Sequence, residues 1–160
     1  MTQEPEATWL TPAACQRLEE ELEHLTTAGR VELEERIAEA RSHGDISENA
    51  DYDAAKDAQG LQEARIRKIQ HLLRHAEVRN AVETEIVEVG SIVTVVDQDG
   101  DENEFFVATP ENKQPGYLLA SPSSPVGKAL LGARVGDTVS YEAPRGTFVL
   151  EVTGLRPFDG

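Results

Sequence analysis

A chain of 160 residues, 39% hydrophobic and 28% charged, has room for one ordinary domain or two small ones and the balance of a folded globular protein. Its formal net charge of −15, from 30 acidic against 15 basic residues, opposes any partner gripped by neutralising phosphates, so general DNA binding is disfavoured. The single cysteine, Cys15, excludes an intramolecular disulfide and a cysteine-built zinc cage; no apolar run approaches the ~18 residues that span a bilayer and the N-terminus does not read as a signal peptide, so a cytoplasmic protein without a membrane partner is expected.

The first regular element opens at Thr11-Pro12, a threonine N-cap followed by proline at the first helical position. Leu18, Leu22, Leu25, Leu33, Ile37 and Ala40 then recur at helical spacing and define one apolar stripe among Glu and Arg, with Gly29 in its gap as a place to bend. A second stripe is read at Ala50, Ala54, Ala58, Leu61, Ile69, Leu72 and Ala76. Two helices with one stripe each must cover one another, and the short link at residues 43–47 makes them antiparallel. At about 1.5 Å per residue, some thirty residues per arm predict a rod of roughly 45 Å. Alanines near its tip predict a close approach of the arms there.

The pattern changes after residue 80. "SIVTVVDQDGDENEFFVAT" alternates β-branched and polar residues around Asp99-Gly100, the favoured dipeptide of a tight hairpin turn. "YLLA", "TVSYEA" and "TFVLEV" are further strands, the last two separated by "PRG", and "SPSSPVGKALLGARVGD" reads as a loop, a short helix near Val126–Leu131 and a turn. The reading is α+β: a helical hairpin over residues 1–80, then a small antiparallel-sheet domain over 81–160, with "RNAVETE" as the linker.

The chemistry concentrates in "HGDISENADYD", residues 43–53. Asp45 with Glu48 three residues later makes a capping box, and Gly44 permits the turn that ends the preceding helix. A cap needs only one carboxylate, however, and Asp51 and Asp53 follow at once. Hard oxygen donors on a protruding end also suit Mg²⁺, though two are too few for a self-contained site, so another macromolecule would supply the rest. Spacing alone leaves both readings open.

Other motifs read more plainly. His71 and His75 share a helix face without a further residue placed to complete a zinc site, so they read as helix-surface residues. "DQDGDENE" has its glycine at the wrong position for a calcium loop. Arg65, Arg67, Lys68 and Arg74 form a basic run that either pairs with glutamates of the first helix or contacts phosphate locally.

"AEARSHGDISENADYDAAKDAQG" and "SPSSPVGKALLGARVGDTV" resemble the tip motif and the C-terminal signature of the Gre family of bacterial transcription elongation factors, in the GreA branch rather than the more basic GreB branch. The resemblance runs from "WLTPAACQRLEEELEHL" to the C-terminus. It implies a coiled-coil hairpin followed by an FKBP-like globular domain. It further implies a monomer that docks this domain at the rim of the RNA polymerase secondary channel and passes the hairpin through the pore to the backtracked RNA 3′ end. Asp45 and Glu48 match the family's tip acids, which help hold a second, weakly bound Mg²⁺ shared with the polymerase and orient the attacking water. Gly44, Asn49 and Tyr52 would shape the tip, and Arg41 and Lys56 match basic residues near the extruded RNA. On this reading the chain is not itself an enzyme; it stimulates cleavage by the polymerase.

The tip departs from the family pattern. Ser47 stands where Lys or Arg is common, Asp53 where His is common, and Asp57-Ala58 where Glu-Gln is usual. A more acidic tip weakens RNA contact and favours metal capture, and such a shift motivates an alternative: a Gre-like regulator that occupies the same channel and inhibits. A third reading, a proline-isomerase-like folding helper, is disfavoured by the scarcity of aromatic residues for an isomerase pocket.

Overall fold

The computed structural model describes residues 7–42 and 50–159, and the chain divides into two compact units, one of Cys15–Ala76 and one of Ala7–Ala14 with the residues from 77 onward. The expected helix start is observed. The Thr11 hydroxyl accepts the Ala14 N–H at 3.0 Å, and Pro12 opens α1 (Pro12–Thr26). A single residue, Thr27, separates α1 from α2 (Ala28–Ser42).

That interruption lies two residues before the expected one. The Thr26 hydroxyl donates back to the Leu22 carbonyl at 2.8 Å and the Thr27 hydroxyl to Glu23 at 2.7 Å, the back-bonding that bends helices. The Thr27 N–H is shared between the Glu23 and His24 carbonyls, at 3.1 and 3.3 Å. Gly29 has a different task. It is buried, and a Cβ there would stand 3.2 Å from the His24 carbonyl oxygen and 3.3 Å from the Gln62 carboxamide, so glycine admits the second arm rather than making the bend.

The second arm is α3 (Ala50–Arg74). Arg65 meets Glu21 at 2.7 and 2.8 Å, Arg30 meets Glu63 at 3.1 Å, and Arg41 meets Tyr52; numbers rise along one arm as they fall along the other, so the arms are antiparallel. The first-arm stripe is observed, from buried Leu18 through half-buried Leu22, Leu25 and Leu33 to buried Ile37 and Ala40. The second stripe requires correction. Ile69 is buried and Ala58, Leu72 and Ala76 are half-buried as expected, but Ala50 and Ala54 are exposed and Leu61 is 74% exposed, while Ala55 and Ile66, outside the expected stripe, are buried. The true seam is Tyr52, Ala55, Gln59, Gln62, Ile66, Ile69 and Leu73, all buried or half-buried, alternating three and four residues as a heptad seam does. Gln62 belongs there because its amide donates to the Leu25 carbonyl at 3.1 Å.

In the second unit, β1 (Thr8–Leu10) pairs with β2 (Ala76–Val78) in a two-stranded sheet. The main sheet contains β3 (Ser91–Asp97), β4 (Glu102–Val107), β5 (Leu118–Ala120), β6 (Thr138–Ala143) and β7 (Gly146–Pro157), in the order β5-β4-β3-β7-β6. The α+β class holds, but the sheet is mixed rather than antiparallel throughout: β5 runs parallel to β4, with Phe105 opposite Leu118 and Val107 opposite Ala120. The segment from 108 to 117 crosses over through a 3₁₀ turn at Pro110–Asn112 instead of reversing in a hairpin.

The apolar run in β3 follows from burial on both faces. Val93 and Val95 point into a core with Val107, Leu130, Leu150 and Val152. Ile92 faces the other way, against Trp9, Phe106 and Phe158. The residues after β2 cover the first of these cores, where buried Val87 exchanges backbone hydrogen bonds with Gly132 and Ala133.

The β3–β4 turn lies where expected but has another geometry. Among the described residues no non-glycine has positive φ, which excludes the two-residue turn needing positive φ at both Asp99 and Gly100. Instead Gly100 alone takes φ +84°, and its N–H donates to the Asp97 carbonyl. The Asp97 carboxylate accepts the N–H groups of Asp99 and Asp101, each at 2.9 Å, and so serves the turn.

Candidate functional site

The site is built where the two arms end. Residues 43–49 link Ser42 to Ala50, and Gly44, Asp45, Glu48 and Asn49, with the capping box they would form, lie outside the described residues. Small side chains bring the arms together just below: Ala40 is 4% exposed and Ala55 fully buried.

Arg41 and Tyr52 span the two arms at this level. The Arg41 Nη2 donates to the Tyr52 hydroxyl at 3.5 Å, and its guanidinium carbon lies 5.6 Å from the ring centroid. The hydrogen bond from Arg41 is the main cause that holds the phenol below its ordinary range; partial burial opposes it, and the positive charges of Arg41 and Lys56 add to it. Lys56 lies one turn along α3 and donates to Gln59 Oε1 at 3.0 Å. The structure therefore brings Arg41 and Tyr52 together, with Lys56 contributing charge beside them.

The surplus acid has a local reason. Asp51 and Asp53 occupy the first turn of α3, where negative charge is stabilised by the helix dipole. Among the described residues no group of three or more His, Cys, Asp or Glu is placed to hold a metal ion.

The basic run divides as well. Arg65 forms a two-point ion pair with Glu21 of the first arm, and that hydrogen bond lowers the Glu21 carboxyl against the opposing effect of burial. Arg30 and Glu63 make the equivalent pair, with Arg67 adding its charge. At these positions cross-arm pairing is the observed role.

In the second unit, "SPSSPVGKALLG" forms a capped turn leading into α4 (Pro125–Leu130), one residue from the expected helix. The Ser124 hydroxyl donates to the Ser121 carbonyl at 2.7 Å and accepts the Gly127 N–H at 3.1 Å. Sequence reasoning missed Asn112. Fully buried, it accepts the Thr11 N–H at 2.9 Å and donates to the Trp9 carbonyl at 2.9 Å and the Thr109 hydroxyl at 3.1 Å.

Two family models match, the N-terminal domain of transcription elongation factors over residues 8–78 and the GreA/GreB C-terminal domain over residues 82–157. Curated relatives include transcription elongation factor GreA of Streptomyces coelicolor, 43% identical over the whole of both chains. That of Saccharopolyspora erythraea is 44% identical, covering 98% of this chain and 99% of its own, and that of Clostridium perfringens strain SM101 is 42% identical, covering 92% and 95%. Similar solved structures include GreA factor homolog 1 of Thermus thermophilus, 28% identical over 94% of this chain and 99% of that one, with a TM-score of 0.44. By these matches across both halves, the chain belongs to the GreA/GreB family of transcription elongation factors.

Proposed function

We propose that the chain enters the secondary channel of bacterial RNA polymerase hairpin-first and stimulates the polymerase's own cleavage of backtracked RNA. Membership of the elongation-factor family supports RNA polymerase as the partner. The observation that carries the finer reading is the Arg41–Tyr52 tie, which joins the arms at the base of the segment bearing Asp45 and Glu48.

The chemistry of the donor set fits Mg²⁺: Asp45 and Glu48 offer hard carboxylate oxygens, fewer than the ion needs, so the polymerase completes the site. Mg²⁺ bound there supplies activation of water and neutralisation of charge on the scissile phosphate. The chain's residues position. Asp45 and Glu48 orient the attacking water; Gly44, Asn49 and Tyr52 set the shape of the turn that carries them. Arg41 and Lys56 place positive charge beside the RNA 3′ segment, offsetting the acidic tip. The exposed loop around Ser123 ahead of α4 is a candidate polymerase contact of the second unit.

A backtracked elongation complex with labelled transcript, cognate polymerase and graded Mg²⁺ tests the proposal. Shortened RNA that can be re-extended, formed only when factor and polymerase are both present, is expected. Intact RNA with slowed elongation would instead establish the inhibitory reading that Ser47 and Asp53 motivate, and reversion of those two residues would be the next step.

A further inference from the structure

Away from the tip, the C-terminal turn of α3 brings two imidazoles together. His75 follows Arg74, the last residue of α3, yet its backbone N–H still reaches the His71 carbonyl at 3.2 Å. His75 therefore sits one helical turn beyond His71, on the same face. The ring centroids are 4.5 Å apart and the planes are inclined by 57°. His71 is exposed and His75 half-buried, so solvent and a dissolved cation have access to the pair.

Two histidines at this spacing on a helix can direct ring nitrogens at one ion, as in helical zinc motifs, and imidazole suits Zn²⁺, Cu²⁺ and Ni²⁺. Among the described residues no third His, Cys, Asp or Glu completes a cluster, so the remaining positions fall to water. The neighbouring Arg74 adds like charge, which weakens binding. Magnesium, which demands oxygen donors, is not a ligand for this pair.

We propose that His71 and His75 chelate one first-row transition-metal dication, in the order Cu²⁺, Ni²⁺, Zn²⁺, at a site separate from the Mg²⁺ chemistry of the tip. The ion links residues one turn apart and so holds the last turn of α3 closed; metal that binds the folded form stabilises it.

The test is calorimetric titration of the full chain with Ni²⁺ near neutral pH, in wild type, His71→Gln, His75→Gln and the double variant, with excess Mg²⁺ as competitor. One Ni²⁺ per chain is expected, unaffected by Mg²⁺. Each single variant should bind about 10-fold or more weakly, since outer partners of metal ligands alone are worth that much, and the double variant should lose the site. Thermal melts supply a second readout: Ni²⁺ should raise Tm in wild type and not in the double variant, whose far-UV circular dichroism should match wild type. Unchanged binding by the double variant, which would place Ni²⁺ at His24 or His43, overturns the proposal. So does a single variant with wild-type affinity, because a chelate requires both rings.

Discussion

Replacing Asn112 by alanine removes three hydrogen bonds from a position with no solvent access. Two of the abandoned partners are backbone groups, the Thr11 N–H and the Trp9 carbonyl, on residues only 2% and 5% exposed, so water cannot readily replace the carboxamide. Each orphaned buried group costs about 1–3 kcal/mol, and the Thr109 hydroxyl loses its partner as well. A loss of roughly 2–5 kcal/mol is expected, a large share of the ~5–15 kcal/mol that a domain holds. Urea unfolding followed by tryptophan fluorescence is well suited, since Trp9 is the sole tryptophan and packs inside the second unit. With a slope of about 2 kcal/mol/M, the midpoint should fall by about 1–2.5 M. A loss below about 1 kcal/mol would show that the Asn112 bonds are replaced by other partners, and would refute the assignment of this side chain as the tie between β1 and the 3₁₀ turn.

Gly127→Ala tests the turn before α4. Alanine ordinarily improves a helix by about 1 kcal/mol, but here its Cβ would overlap the Ser121 carbonyl oxygen and lie 2.6 Å from the carbonyl carbon. A loss of about 1–3 kcal/mol is expected instead, and an unchanged or raised Tm would contradict the packing. Arg41→Gln should return the Tyr52 phenol upward toward the ordinary tyrosine range. Alkaline ultraviolet titration measures this, with Tyr52→Phe identifying the signal; no movement would mean that Arg41 does not hold the phenol. The Glu21 carboxyl is lowered in the folded state by Arg65, so its stabilisation is present above the unfolded carboxylate pKa and is lost as pH falls through the lowered value. The pair is over a third exposed, which limits the effect to under about 1 kcal/mol. The stability difference between wild type and Glu21→Gln should shrink on acidification and in high salt, and a constant difference would rule out the ion pair as its source.

Local signals in the sequence led to correct elements where the determining contacts were local. Thr11-Pro12 marked the start of α1 because cap and proline act within one turn, whereas α4, expected near Val126–Leu131, starts one residue earlier at Pro125, behind the Ser124 cap. Ile69 was read correctly, but toward the tip the α3 seam was misread because alanine and glutamine carry little hydrophobic contrast: Ala54 and Ala55 are equivalent in composition, and only the partner arm decides that Ala55 is buried. Gln62 looks like a surface residue until the Leu25 carbonyl is opposite it. The strands β1 and β2 are three residues each and pair across the whole helical hairpin, and the parallel β4–β5 pairing depends on a crossover rather than a turn. Asn112 acquires its role from Trp9 and Thr11, about a hundred residues earlier. At the site, the tie between Arg41 and Tyr52 was not foreseen, although both residues were singled out, because the contact forms only when the arms converge.

The most direct test of the proposed function compares wild type with the double variant Asp45→Ala/Glu48→Ala in backtracked elongation complexes, measuring both RNA cleavage and polymerase binding. The account predicts that the variant binds polymerase as wild type does and produces no shortened RNA at any Mg²⁺ concentration at which wild type is active. Full cleavage by the variant would contradict it.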